Sequence, residues 1–467
     1  MEMNPKQMIM ALLAIFFLSA CGGGSGGDDP EVVVVPELQL ATPANGATAV
    51  DVATTQAQLT FDVDITLVSA ARITVNGTAV TSASASGKVL TLALPKLSGE
   101  TLYTIQLQAM AIKATLGAVN SAAISVSFTT GPKATVNITS ILAVTNPSTQ
   151  AQNVYNFLKE NYGSKIVSGA MANVAWNINE AEWVKLQTGK YPAIASFDYI
   201  QLPYSPANWI DYSNTTVVEN WWNNNGLVAA CWHWLVPKSN GSTEYTFNAT
   251  ETAFKASNAT VDGTWENTAM KADLAKVTSY LKLLQSKNIP VIWRPLHEAA
   301  GNIYEYTGGT AWFWWGNDGA EAYKKLWKYM FDYFEAQGLN NLIWVWTTQT
   351  NDVAFYPGDD YVDIIGRDIY EQTDASVIAA QFNTIQETYP TKMVALSECG
   401  SVATVSAQWT AGARWSFFMP WYDYDRTLDT SSSAFNSTVH KYANAAWWID
   451  AGGNSAVITR DEMSGLK

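Results

Sequence analysis

Beyond residue 140 the chain alternates between short, nearly continuous apolar runs and longer segments whose apolar residues recur every three or four positions. The first pattern belongs to strands buried on both faces, the second to helices with one buried stripe. Eight runs read as strands, at 166–171, 192–199, 227–234, 290–298, 342–348, 362–370, 393–398 and 415–422. Before the fourth run, Met270, Leu274, Val277, Leu281 and Leu284 form a helical stripe. After it, Tyr323, Leu326, Met330 and Tyr333 form another. Strands that alternate with helices pair in parallel, and eight such units close a (β/α)8 TIM barrel, for which residues 140–467 are a fitting length.

The preceding third is patterned differently. Within 37–131, shorter runs with alternating apolar positions lie at 57–65, 72–75, 89–94, 103–109 and 124–128, separated by turn residues such as Asn76-Gly77 and Ser98-Gly99. This spacing predicts a small all-β sandwich of about seven strands. All twenty Trp lie between Trp176 and Trp448, which puts the domain boundary near residue 135. The stretch ATPANGATAVDVATTQAQLTFDVDI resembles the opening of bacterial Ig-like domains. With Tyr103 its only aromatic besides Phe, this module reads as a spacer and not as a carbohydrate-binding domain.

The N-terminus reads as a targeting segment. Lys6 precedes an apolar run, 8–18, that is too short to span a bilayer, so residues 1–20 are expected to be a signal peptide. The run ends in Leu18-Ser19-Ala20-Cys21, which resembles the bacterial lipobox, where the Cys becomes the lipidated first residue. Residues 21–36 are then a Gly-rich tether. The expectation is a protein lipid-anchored at Cys21 to the outer membrane of a Gram-negative cell, surface-exposed and meeting the membrane only through its anchor.

Composition narrows the chemistry. Charged residues are 15% of the chain, against roughly 25% in an average globular protein, and the net charge is -14. Nucleic acid is therefore excluded as a partner. Three Cys make no disulfide framework, and three His with no metal-ligand spacing predict no metal site and no cofactor. Cys231 and Cys399, on opposite strands of the barrel, are expected to be buried free thiols. A monomer is expected, whose chemistry rests on carboxylates and aromatics.

Catalytic groups of a TIM barrel sit at the C-terminal strand ends. Here those ends read Asp198-Tyr199, Trp232-His233-Trp234, His297-Glu298, Arg367-Asp368-Ile369-Tyr370-Glu371, Ser397-Glu398-Cys399 and Trp421-Tyr422. Glu298 and Glu398 end strands four and seven, across the mouth from each other. Glycoside hydrolysis needs such a pair, one carboxyl to protonate the leaving oxygen and one to attack or assist at the anomeric carbon. A lone Glu at a strand end more often caps a helix or pairs with a cation such as Arg294. By position alone Asp198, Asp352 and Asp368 remain alternatives, and Asp352 also reads as a turn cap.

The segment WRPLHEAAGNIYEYTGGTAWFWWG at 293–316 resembles the signature of glycoside hydrolase family 26. IVSGAM near the domain start, YPGDDYVDIIGRDIY at 356–370 and ALSECG at 395–400 extend the resemblance over most of 150–450. It implies a TIM-barrel enzyme, in most members an endo-β-1,4-mannanase, in a minority a lichenase or β-1,3-xylanase. It further implies that Glu298 is the acid/base, Glu398 the nucleophile and His297 a contact to the sugar at the cleavage point. Tyr370 would orient the nucleophile, and Trp421 would form the platform under that sugar. His233, between two Trp, is either a substrate contact or a core histidine. In the aromatic run 312–315, Trp312 or Trp315 is expected to stack on sugar while the others pack inward. The substrate implied is β-mannan polysaccharide or oligosaccharide; the alternatives are another β-glycan, or a surface glycan-binding protein that has lost catalysis.

Overall fold

The structure, a computed structural model, describes residues 34–52, 54–132, 136–172, 176–424, 429–463 and 466. The expected signal peptide and Cys21 lie outside them. Among the described residues no helix is long and apolar enough to cross a membrane. The chain forms two compact units, the first running to Leu97 and from Thr101 to Thr130, the second made of Ser98–Glu100 and the chain from Gly131.

In the first unit, alternation makes the strands. Gln56–Phe61 buries Ala57, Leu59 and Phe61 and leaves Gln56 and Gln58 exposed. One sheet orders Leu38–Thr42, Gln56–Phe61, Val89–Ala93 and Ala83–Ser86. A second orders Ala47–Val50, Ile124–Thr130, Leu102–Leu107, Ile73–Val75 and Thr78–Ala79. Leu59, Leu90 and Leu92 of the first sheet share a core with Ile105, Leu107, Val126 and Phe128 of the second. Asn76 and Gly77, at φ 48° and 83°, form the two-residue hairpin turn between Ile73–Val75 and Thr78–Ala79. Among the described residues the unit has eleven strands, more than the seven expected. The expected run 57–65 is broken after Phe61: the Asp62 carboxylate accepts the Glu37 N–H at 2.8 Å, and the chain re-enters a separate two-stranded sheet at Ile65–Leu67. Ordered structure also begins before residue 37, since the Val34 carbonyl accepts the Ala118 N–H at 3.0 Å. Tyr103 is buried and stacks on Phe128, so no described aromatic of this unit is open to a sugar.

The second unit is a closed barrel of eight parallel strands, β1 Ile166–Met171, β2 Ile194–Asp198, β3 Leu227–Trp232, β4 Val291–Pro295, β5 Leu342–Thr348, β6 Ile364–Tyr370, β7 Met393–Gly400 and β8 Phe417–Pro420. β8 pairs with β1 through Val167↔Phe417, and β1 with β2 through Gly169↔Ile194, which closes the ring. All eight expected strands are present. They are nearly continuous apolar runs because one face fills the barrel and the other meets the helices. Helix Trp265–Ser286 buries the predicted stripe of Met270, Leu274, Val277, Leu281 and Leu284, and Thr264 caps it by accepting from the Asn267 N–H. In helix Ala320–Ala336 the stripe ends on Phe334, not on Tyr333, which is half-buried.

The aromatic loop after β4 returns to the end of its own strand through a contact that only glycine permits. A Cβ at Gly316 would lie 1.6 Å from the Ala299 carbonyl oxygen. Gly316→Ala should therefore destabilise the protein by about 1–3 kcal/mol, as overpacking does. Gly452→Ala, in a helix with nothing within 4 Å of the new methyl, should leave the midpoint of thermal unfolding unchanged or slightly raised. Equal midpoints for the two variants would show that the loop is not held at this point.

Candidate active site

The site grows from Arg294 on β4. Its buried guanidinium donates to Asp368 on β6, to Glu398 Oε2 on β7 at 2.8 Å, and through Nε to Thr347 Oγ1 on β5 at 3.1 Å. Burial opposes its charge, but the Asp368 and Glu398 carboxylates more than compensate, and Arg294 stays protonated. Asp368 also accepts the Ser397 hydroxyl at 2.7 Å.

A bulge aims the Glu398 carboxylate. Along β6 and β7 the register runs Arg367↔Leu396 and then Asp368↔Glu398, passing over Ser397. Between β7 and β8 it runs Leu396↔Phe418 and then Cys399↔Pro420. Strand β7 thus carries one extra residue relative to both neighbours. Ser397 and Glu398, which regular pleating would send to opposite faces, both reach the Asp368–Arg294 cluster. The Tyr370 hydroxyl, on β6, donates to Glu398 Oε1.

Glu298 arrives by another distortion. The expected strand 290–298 ends at Pro295, and Leu296 and Glu298 take φ of 47° and 49°. Such left-handed conformations are unusual for these residue types and concentrate at functional sites. The turn sends Glu298 toward the Trp312 indole N–H, which donates to its Oε2 at 3.0 Å.

Glu298 and Glu398 are electrostatically unequal. Burial, then the negative charges of Asp368 and Glu398, push Glu298 well above the usual carboxylate range, with Arg294 opposing only in part. Burial raises Glu398 as well, but less, since Arg294, the Tyr370 hydroxyl and His233 favour its anion. One carboxyl therefore keeps its proton where the other gives it up, the division of roles that acid-nucleophile chemistry needs.

A second network forms the wall beside them. Asp198, at the end of β2, accepts from His233 Nδ1 at 2.6 Å and from the His233 backbone N–H at 3.2 Å. Burial works against protonating this ring, and the Asp198 carboxylate outweighs it, so the His233 pKa is raised. His233 Nε2 lies 3.1 Å from His297 Nε2. Burial, Arg294 and His233 hold His297 well below the usual histidine value, hence neutral. Trp421 is half-buried and meets His233 edge-on at 5.7 Å.

These positions correct part of the sequence reading. Trp315 is fully buried: it stacks on Phe313 at 4.4 Å and its indole N–H donates to the His297 carbonyl at 2.8 Å, so it supports the strand end and has no face for a sugar. Trp312, half-buried against Glu298, is the member of the run that reaches the site. His297 is 1% exposed and its Nε2 faces that of His233. Asp352 accepts the Thr348 hydroxyl at 2.6 Å and the Gln349 N–H at 2.7 Å, as a turn cap; burial pushes it up to about 6. Glu371 is exposed, outside the cluster. Sequence reasoning weighed Arg294, Asp198 and Asp368 only as rivals or ion-pair partners, and missed their role as the frame for the two Glu. For Asp198 and Asp368 the signal was present, since both stand among the strand-end residues; Arg294 lies inside the expected run 290–298.

Cys231 and Cys399 are buried and free. Asp198, Cys231 and His233 bring donor atoms within 4.8 Å of one another. Burial and the Asp198 charge push the Cys231 thiol well up, and His233 Nδ1 is already committed to Asp198. Asp198 and His233 are hydrogen-bonded to each other here, as part of the wall of the site.

Residues 143–453 match the model of glycosyl hydrolase family 26, and 33–130 that of a bacterial Ig-like domain. The chain belongs to glycosyl hydrolase family 26, on a TIM barrel preceded by an Ig-like domain. It is 35% identical over 304 residues to mannan endo-1,4-β-mannosidase B of Piromyces sp, covering 62% of this chain and 50% of that protein. It is 33% identical over 338 residues to a mannan endo-1,4-β-mannosidase of Thermothelomyces thermophilus, covering 69% and 64%. Among solved structures, the family 26 domain of an endo-β-mannanase/endo-β-glucanase from Prevotella bryantii superposes with a TM-score of 0.64 at 39% identity, covering 70% of this chain and all of that one. The chain spans about half the length of the Piromyces relatives it matches.

The charge balance is testable without turnover. Followed by 13C NMR of its side-chain carboxyl, Glu298 should titrate well above an ordinary Glu, and at lower pH in Asp368→Asn, which removes a neighbouring negative charge. Titration unmoved by that change would contradict the arrangement. The stability sign follows from the raised folded-state pKa. The unfolded chain binds fewer protons at Glu298, so its contribution is fully present below the unfolded carboxyl pKa and is lost as pH rises through the folded value. Glu298→Gln should thus raise the unfolding midpoint at alkaline pH relative to the unmodified protein, and not at acid pH.

Proposed function

We propose that this chain is a retaining, endo-acting β-mannanase cleaving β-1,4-mannosidic bonds in mannan, galactomannan or glucomannan. The observation that carries the reading is the pairing of a proton-holding Glu298 with a Glu398 whose anion is stabilised by Arg294 and Tyr370. Glu398 attacks the anomeric carbon of a sugar seated on Trp421 and beside His233, while Glu298 gives its proton to the departing glycosidic oxygen. This forms the glycosyl-enzyme bond and breaks the glycosidic bond. With the proton gone, Glu298 takes one from water, the water oxygen attacks the same carbon, and Glu398 leaves as carboxylate. Two inversions retain the β configuration. The choice of mannan draws on the relatives, whose names specify mannan endo-1,4-β-mannosidase.

Reducing-sugar release from mannan, galactomannan, lichenan and β-1,3-xylan tests the substrate, with turnover expected on the first two. Turnover of lichenan or xylan alone would overturn the mannan reading, and turnover of none would favour a glycan-binding protein. Glu398→Ala should abolish activity on every substrate. Glu298→Ala should keep much of its glycosylation rate on aryl glycosides whose leaving group needs no proton, and azide should accelerate its turnover. Fresh product showing the α-anomer by NMR would contradict retention.

The Ig-like unit is a spacer in this reading, supported by its buried Tyr103. Deleting residues 37–131 should leave kcat on a soluble oligosaccharide nearly unchanged, and a large loss with the barrel folded would refute the role. Cys21 anchors the protein to the outer membrane, facing outward, a reading supported by the lipobox-like Leu18-Ser19-Ala20-Cys21. Cys21→Ala should leave the membrane fraction; if it sediments as the original does, there is no such anchor.

A further inference from the structure

Single exposed aromatics are common on protein surfaces, but contiguous ones mark contact sites. Tyr204 and Trp209, in the loop after β2, are 42% and 56% exposed. Their rings lie 6.2 Å apart, and Tyr204 lies 5.7 Å from the half-exposed ring of Tyr245, in the loop after β3. Both loops stand on the barrel face that carries the catalytic groups.

This row is anchored and leads into the site. Asn208 and Trp209 form the tip of a turn closed by Ala207 N–H to the Ile210 carbonyl at 2.8 Å and Ile210 N–H to the Ala207 carbonyl at 3.2 Å. Ile210 and Tyr212 behind the tip are buried, and the Tyr212 hydroxyl donates to the carbonyl of Asp198, the residue that holds His233, at 2.9 Å. Ser205 Oγ contacts the Tyr280 hydroxyl at 3.1 Å. Tyr245 pairs with Pro237 in a short hairpin. Two residues on, Phe247 meets His233 and Phe313 with ring centroids 5.7 Å away in each case. Tyr245 thus joins the Tyr204–Trp209 pair to the segment that carries Phe247, which meets His233.

We infer that Tyr204, Trp209 and Tyr245 form a remote subsite for the non-reacting hexose units of the same glycan, several sugars from the bond that is cleaved. The inference rests on the glycan-hydrolase reading and extends it to chain-length preference. Rigid aromatic rings edged by hydroxyls suit the apolar C–H face and outward hydroxyls of a neutral sugar, at small entropic cost. The chain's net charge of -14 disfavours an anionic polymer at the same place.

The test compares kcat/KM on mannohexaose and mannotriose in the full chain. Trp209→Ala should lower the hexaose-to-triose ratio about tenfold, the size of effect expected for truncating a stacked Trp at an interface. The loss should fall in KM, and Trp209→Phe should recover most of it. Tyr204→Ala should act in the same direction. An unchanged ratio, or equal losses on both substrates, overturns the subsite. To separate this from the mannan reading, Trp209→Ala is also made in a Glu398→Gln background and run by affinity electrophoresis against galactomannan, lichenan and β-glucan. Weaker retention than the parent on whichever glycan the parent binds supports the subsite, even if that glycan is not mannan. Equal retention, or a parent that none of the glycans retains, overturns it.

Discussion

One buried guanidinium organises the catalytic end of this barrel. Arg294 reaches from β4 to Thr347 on β5, Asp368 on β6 and Glu398 on β7, so four strands are tied by a single charged group. Three carboxyls, Glu298, Asp368 and Glu398, crowd around that one positive charge, and a buried cluster cannot hold all of them ionised against one cation. Glu398 has the guanidinium and the Tyr370 hydroxyl; Glu298 has an indole N–H and two negative neighbours that Arg294 offsets only in part. The proton therefore resides on Glu298. In the proposed mechanism, the division between acid and nucleophile follows from where Arg294 points.

The rest of the barrel end keeps this geometry rigid. The bulge in β7 turns consecutive residues to the same cluster, and the left-handed turn after β4 brings Glu298 to Trp312. Both are departures from regular strand geometry, supported by packing that regular strands would not need. Trp315 and Trp314 donate their indole N–H groups to the His297 and Trp234 carbonyls, and so satisfy polar atoms where the strands end. The Asp198–His233–His297 row fixes the adjoining wall in the same way.

Period and strand-end chemistry made much of this legible in advance. Eight apolar runs became eight barrel strands because strands buried on both faces leave an unmistakable pattern. Glu298, Glu398, Tyr370 and Trp421 were found as strand-end residues of a family signature, and the structure brings all four to the barrel mouth. What the pattern could not show was direction. In a run such as Trp312 to Trp315, every residue is aromatic, and only the turn at 314–316 decides that Trp312 faces Glu298 while Trp315 goes under it. His297, beside Glu298 in sequence, is buried against His233, which the run of letters does not show. The supernumerary strands of the first unit escaped notice because runs of two to four residues carry too little alternation to read.

The central claim is that Glu398 forms a covalent bond to the sugar. A 2-deoxy-2-fluoromannosyl fluoride would test it directly: attack expels fluoride, and the electron-withdrawing substituent slows release of the sugar from the enzyme. Intact-mass measurement should show one added glycosyl group, and peptide fragmentation should place it on Glu398, with no adduct in Glu398→Gln. A label on Asp368 or Glu371, or inactivation-free incubation with no added mass in an otherwise active enzyme, would contradict the account.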